Sequence, residues 1–299
     1  MINHFFSSIF RYLCVYKDIM TEIKSYKLDY KFQENDVRDY VFTQHTDLDN
    51  TFLLKSKENT DTIVLNSNLP PKLNLYRVIP TQQINILDQG QLGSCVANAF
   101  ALNISYITKN NTNLCRLLLY ALCRIKDNNP LSIDAGTTVR SAGSSIFKYG
   151  VCPEVVHPYN SINVANYRIL PPLVAFQNSK IFKSFSYTFI SQGSNYLNNI
   201  KAVLNNYNVP IIFGFMVYES FMTQNVAKTG IVPMPDLKKE KLQGGHCMNI
   251  IGYDDSKQLF ICANSWGKNW GNAGFCYMPY MYILNTSLAS DLCFLRMET

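Results

Sequence analysis

Three residue types set far apart in this chain could together perform nucleophilic chemistry: the thiol of Cys95, the imidazole of His246 and the amide of Asn264. Cys95 closes the stretch Asp-Gln-Gly-Gln-Leu-Gly-Ser-Cys over 88–95, in which Gly90 and Gly93 mark a tight turn. Ala97, Phe100, Ala101, Ile104 and Ile107 then recur at helical spacing, so the thiol is expected at a helix N-terminus. Unpaired N–H groups and the positive end of the helix dipole favour an anion there, which predicts a lowered thiol pKa. One cysteine among nine is ordinarily a small inert core residue, so the company it keeps carries the argument. His246 heads an apolar strand in Gly-Gly-His-Cys-Met-Asn-Ile-Ile-Gly-Tyr-Asp over 244–254, and Asn264 stands one strand later in Ala-Asn-Ser-Trp-Gly-Lys-Asn-Trp-Gly over 263–271. A thiol, a base and an orienting amide are the parts of an activated nucleophile.

In order, spacing and local sequence these residues resemble the papain-like cysteine peptidases. Gln89 stands six positions before Cys95, His246 follows it by 151 and Asn264 by 169. The resemblance implies an α+β, papain-like two-subdomain fold: a helical half, an antiparallel β-sheet or barrel half, and an active-site cleft between them. It implies that Cys95 attacks a peptide carbonyl, that His246 takes the thiol proton and returns it to the leaving amine, and that Asn264 holds the imidazole. It gives Gln89 a place in the oxyanion hole beside the Cys95 N–H and makes Trp266 a shield over the His–Asn bond. Where the family reads Cys-Gly-Ser-Cys-Trp, this chain reads Leu92-Gly93-Ser94-Cys95-Val96, so the disulfide normally made by the first cysteine is not expected. The Gly-Gln-Leu-Gly-Ser-Cys-x-Ala-Asn-Ala form resembles a bacterial and viral branch with a short, atypical prosegment.

Each residue has a plainer role to weigh. Asn264 could cap a turn, Gln89 could face solvent, and Trp266 and Trp270 could simply pack. Of the four histidines, His4, His45 and His157 lie outside the motif. Besides a cysteine endopeptidase made as an autoinhibited precursor, two other classes fit: a catalytically silent papain-like binding module, and a cysteine-dependent acyl transferase. Retention of Gln89, Cys95, His246 and Asn264 together argues against the silent module.

With 299 residues, 47% of them hydrophobic and 16% charged, the chain can bury one large core or two packed subdomains. The net charge of +6 is scattered, with Lys238-Lys239-Glu240-Lys241 the one tight group, so no nucleic-acid partner is expected and the partners are protein or peptide substrates. Nine cysteines without a Cys-x-x-Cys pair predict neither a disulfide-stapled miniprotein nor a zinc site, and no metal or cofactor is implied. Residues 1–20 are apolar but interrupted by Arg11 and followed by no small-residue cleavage site, a poor signal peptide and too short to span a bilayer. They suit an amphipathic helix docked on the body, or less well on a membrane surface. Membrane contact is not expected, and a cytoplasmic or virion-associated location is favoured over secretion.

Residues 1–69 read as a prosegment-like region that acts as an intramolecular inhibitor. They carry 8 Lys+Arg and 10 Asp+Glu, leaving the remainder at +8, and include Asp-Val-Arg-Asp-Tyr at 36–40, similar to an upstream element of that same branch. Pro70-Pro71 marks the boundary to a peptidase domain over 70–299, mainly helical to about 190 and mainly β from about 191. After the Cys95 helix, helices are expected over 114–125 and from Thr137 or Thr138 to Gly150, and a further one over 195–207. Strands are expected over 209–217, 246–253, 259–263 and 274–278.

Overall fold

The structure, a computed structural model, describes residues 25–36, 39–44, 51–55, 60–64, 68–78, 85–109, 113–162, 165–179 and 185–297. The helix expected over 1–20 lies outside the described residues. Three helices make the first layer. α1 (Cys95–Ile107) is buried from Cys95 through Tyr106, as its almost wholly apolar sequence requires of a central helix. α2 (Arg116–Lys126) starts two residues later than its apolar pattern suggests, because Leu114 bridges Pro153 and the Cys115 N–H donates to the Cys152 carbonyl at 2.8 Å, which keeps both residues extended. The Cys115 sulfur then caps the helix by accepting the Leu118 N–H. α3 (Val139–Tyr149) is capped by the Thr138 hydroxyl and stopped by Gly150 at φ 72°.

Against this layer lies a ten-stranded sheet among the described residues: β1 (Val41–Gln44), β2 (Thr51–Lys55), β3 (Thr60–Val64), β4 (Lys72–Asn74), β5 (Phe185–Ile190), β6 (Ile211–Tyr218), β7 (Leu242–Asp254), β8 (Leu259–Ala263), β9 (Phe275–Pro279) and β10 (Ala289–Met297). The order is β3-β2-β1-β5-β10-β6-β7-β8-β9, with β4 paired to β7. Its pairings are antiparallel except β1 with β5, so the sheet is mixed and open where an antiparallel sheet or barrel was expected. The 195–207 segment forms a helix over Tyr196–Ala202 that widens into a π turn over Val203–Tyr207 before left-handed Asn208.

The mixed pairing has a specific source. Residues 41–64, counted upstream of the Pro70 boundary, add three strands to the sheet of the body. Phe42 of β1 is fully buried and meets Tyr207 and Phe294 edge-on, at ring separations of 6.0 and 5.8 Å. Phe42→Ala should therefore cost about 3–5 kcal/mol in the denaturant-unfolding free energy of the whole chain. A loss below about 1 kcal/mol would mean that β1 is only laid against the core.

Candidate active site

The turn before α1 is fixed from two sides. The Gln89 N–H donates to the Ser265 carbonyl at 2.8 Å, the Gly267 N–H donates to the Leu87 carbonyl at 3.0 Å, and Asp88 bridges Trp266, tying the turn to the loop after β8. Behind it, buried Arg116 donates two hydrogen bonds to the Glu154 carboxylate, both 2.7 Å, while its Nη1 donates to the Asp88 carbonyl at 3.0 Å and to Asn98 Oδ1 at 2.9 Å. The same guanidinium lies 3.9 Å from the centre of the Tyr159 ring, whose hydroxyl donates to the Gln89 carbonyl at 2.7 Å and pairs with Ser94 Oγ at 2.8 Å. Arg116, Glu154 and Tyr159 were not among the expected site residues, and no local pattern marks them, because their contacts are made between segments far apart in the sequence.

Three expected residues lie around this turn. Cys95 is the first residue of α1, His246 lies in β7 opposite Phe215, and Asn264 follows the end of β8. His246 Nε2 stands 2.8 Å from Asn264 Oδ1. That oxygen also accepts the Ser265 N–H at 2.7 Å, which fixes the amide orientation and makes Nε2 the donor. Nδ1 then carries the lone pair, and it has no hydrogen-bond partner among the described residues. The backbone N–H of Cys247, the residue after His246, is near enough to the Cys95 sulfur to favour its thiolate, so the thiol lies against that part of β7. Trp266 covers the imidazole at a ring separation of 4.9 Å.

Gln89 is buried, with Oε1 accepting the Ser265 hydroxyl at 2.7 Å and Nε2 donating to the Leu92 carbonyl at 3.0 Å and to the Lys27 carbonyl at 3.2 Å. Lys27 belongs to residues 25–36, which lie across the site as a strap. Tyr26 stacks on Trp266 at 4.5 Å with the rings 4° from parallel. The Tyr30 and Lys31 N–H groups donate to the carbonyls of Gly245 (3.0 Å) and Thr137 (3.1 Å). A Cβ on Gly136 would fall on the Asp29 carbonyl, so that position must be glycine for the strap to lie so close. Lys27 pairs with Asp29 at 2.7 Å and Asp134 at 2.9 Å, and Arg140 pairs with Asp39 of the 36–40 element at 2.5 Å.

The covering reverses the expected electrostatics. Burial pushes the Cys95 thiol up to about 12 and the His246 imidazole down to about 4, although the Asn264 bond partly supports the cation. The helix N-terminus still favours the thiolate through the Val96 N–H, but the loss of water on burial outweighs it. A separate cavity of about 460 Å³, lined by Lys72, Asn74, Ile231, Asp254 and Tyr277 among others, shares no residue with this site, and its Lys72 is engaged by Asp254 at 2.6 Å.

Fold and site together define a thiol hydrolase with its cleft between a helical layer and a sheet, and comparison with known proteins agrees. The sequence profile of the papain family cysteine proteases matches residues 76–293. An uncharacterized peptidase C1-like protein of Acanthamoeba polyphaga mimivirus is 35% identical over 259 residues, 81% of each chain. Xylellain, a cysteine protease from Xylella fastidiosa, superposes with a TM-score of 0.75 at 28% identity, over 92% of this chain and 98% of its own. Procathepsin L 3 from the Tenebrio molitor larval midgut has the same fold, with a TM-score of 0.57 at 20% identity over 77% of this chain and 70% of its own. The chain belongs to the papain family of cysteine peptidases.

A thiol raised to about 12 reacts slowly at neutral pH, since only the thiolate is nucleophilic. Alkylation of Cys95 by iodoacetamide in the intact chain should stay slow from about pH 6 to 9 and climb only as pH approaches 12. The rate is read by peptide mass spectrometry against free cysteine. A plateau already reached at neutral pH would show that the covered thiol is not held neutral.

Proposed function

We propose that this papain-family peptidase is a cysteine endopeptidase that hydrolyses peptide bonds through Cys95, His246 and Asn264, and that residues 25–36 hold it inactive as a precursor. The observation that carries the reading is the His246–Asn264 bond, which leaves the Nδ1 lone pair as the base for a thiol set against the same stretch of β7. With the strap away, Nδ1 takes the Cys95 proton and the sulfur adds to the substrate carbonyl. The carbonyl oxygen gains the negative charge and is met by the Gln89 amide and the Cys95 backbone N–H. Collapse expels the amine with the proton returned from His246, leaving a thioester. Water, deprotonated by His246, adds to the thioester and releases the acid and the thiol. Asn264 keeps the imidazole in one tautomer and orientation throughout, and Trp266 keeps water off that bond.

The strap supports the inhibitory half of the proposal by what it touches. Its Lys27 carbonyl takes the Gln89 Nε2–H that a substrate carbonyl would need. The segment is thus a peptide bound in the cleft. Because it is part of the same chain, its effective concentration is in the millimolar range, and modest intrinsic affinity suffices.

In the full-length chain, Tyr30→Ala combined with Lys27→Ala should speed Cys95 labelling by a thiol probe about tenfold or more and expose peptidase activity. Cys95→Ala on that background should abolish both. Gln89→Ala should lower kcat about 100-fold or more with little change in KM, and Asn264→Ala should also act mainly on kcat. Unchanged labelling in the strap variant would refute inhibition, and unchanged kcat in either of the others would remove that residue from the mechanism.

A further inference from the structure

Behind the turn that ends at Cys95, two other cysteines face each other. Leu114 and Pro153 form an isolated antiparallel bridge, flanked by the Glu154 N–H donating to the Asn113 carbonyl and the Cys115 N–H donating to the Cys152 carbonyl, each at 2.8 Å. Cys115 and Cys152 are therefore directly opposite one another, where Cα atoms lie about 5.5 Å apart and side chains leave on the same face. A disulfide spans Cα separations of about 4.4–6.8 Å. Both residues are fully buried, and both are free thiols.

The two sulfurs are also unequal. They are near enough that Cys115 favours a thiolate on Cys152, which holds the Cys152 thiol below the usual range and the Cys115 thiol above it. Cys152 leads through Pro153 into a single turn, Glu154–Val156, none of whose residues is buried and whose Val155 is 78% exposed. The tie that closes this turn on the body is the pair of bonds from Arg116 to the Glu154 carboxylate. β8 and β9 oppose a second buried pair, Cys262 and Cys276, but there the ladder continues on both sides, from Leu259 with Pro279 to Ala263 with Phe275. Drawing those sulfurs to bonding distance bends a continuous sheet, whereas an isolated bridge adjusts.

We infer that Cys115 and Cys152 are a modification site that closes to a disulfide, with a small organic disulfide of the glutathione type as oxidant. The Cys152 thiolate attacks one sulfur of the reagent and expels the other half as a thiolate, leaving a mixed disulfide on Cys152. That thiolate takes the Cys115 proton, and the Cys115 sulfur then attacks the Cys152 sulfur and expels the second half, which takes up the proton that Cys152 had released. Two protein thiols are oxidised and one reagent disulfide is reduced to two thiols. The new bond ties the start of α2 to the segment before the 154–156 turn. Arg116 follows one cysteine directly and Glu154 stands two residues after the other, so the bond braces the junction that holds the Asp88 carbonyl and Asn98. The site is separate from Cys95, and its chemistry needs no turnover.

The test incubates the full-length chain with oxidised glutathione, unfolds it in iodoacetamide and digests it without reduction. Mass spectrometry should find the Cys115 and Cys152 peptides joined, with Cys262 and Cys276 alkylated. The oxidised chain should melt about 5 °C higher and return to its starting value in dithiothreitol. Cys115→Ser keeps a capping oxygen at the start of α2, so it should fold, and it should lose the link and the rise together. Glu154→Gln unties the turn and should form the bond several-fold faster. Recovery of Cys115 and Cys152 both alkylated, joined to other cysteines, or carrying glutathione that never resolves would overturn the site, as would a link between Cys262 and Cys276 in its place. A link that leaves the melting temperature unchanged would overturn the brace, and one formed no faster in Glu154→Gln would overturn the route through the turn.

Discussion

Two hydrogen bonds between Gln89 and Ser265 hold the halves of the molecule in the register on which the site depends. The Gln89 backbone N–H donates to the Ser265 carbonyl at 2.8 Å, and the Ser265 hydroxyl donates to Gln89 Oε1 at 2.7 Å. The first fixes the turn that ends at Cys95 against the loop that carries Asn264, and the second leaves Nε2 as the only end of the Gln89 amide that can face the cleft. Both residues are buried, so losing either bond would strand a polar group away from water, which costs more than the bond itself contributes. Arg116, Glu154 and Tyr159 serve the same turn from behind. Removing one partner of such a buried ion pair leaves an uncompensated charge, typically worth about 3–5 kcal/mol, so this support is rigid while the strap in front of it is made of separable contacts.

Covering the thiol and choosing its protonation state are one event. Burial favours neutral Cys95 and neutral His246 because it removes the water that would solvate a thiolate–imidazolium pair. By linkage, whatever favours that ion pair must weaken the strap by the same free energy. Both pKa displacements oppose the ion pair, the thiol's upward and the imidazole's downward, so between about 4 and 12 the covered site holds its single proton on sulfur.

Much of this site was legible in the sequence because the chemistry confines residue types and their neighbours. Cys95, His246, Asn264, Gln89 and Trp266 each lie in a short stretch whose turn glycines or strand pattern announce the local structure; the structure joins His246 to Asn264 and Trp266, and Gln89 to Ser265. What the sequence could not show is set at a distance. β5 and β10 have strand-like composition, but their positions follow from tertiary pairing alone. The strands of residues 41–64 were grouped with an upstream segment because Pro70-Pro71 looks like a boundary, whereas Phe42 is buried between Tyr207 and Phe294, 165 or more residues away in the chain. The thiol pKa was read from the helix terminus alone, since no local pattern tells that residues 25–36 lie over it.

The N-terminal region divides into a firmly anchored part and a part held by separable contacts. Its far end is anchored: the Asp39 carboxylate grips Arg140, the Tyr40 carbonyl accepts the Phe189 N–H at 2.8 Å, and β1 enters the sheet directly after. The part over the cleft is held differently, by the ring stack of Tyr26, the half-exposed cation of Lys27, the Tyr30 hydroxyl and a few main-chain bonds. Half-exposed ion pairs contribute little individually, so the covering stretch owes its hold to being tethered at 39–44 as much as to its own contacts. A cut between the strap and the anchor would remove that tether and turn an intramolecular contact into a weak bimolecular one, without disturbing Phe42 or any strand. The charge difference between the two parts of the sequence is therefore not the agent of closure. Individual pairs of both polarities act here, Lys27 with Asp134 in the strap and Asp39 with Arg140 in the anchor, and the covalent tether supplies the rest.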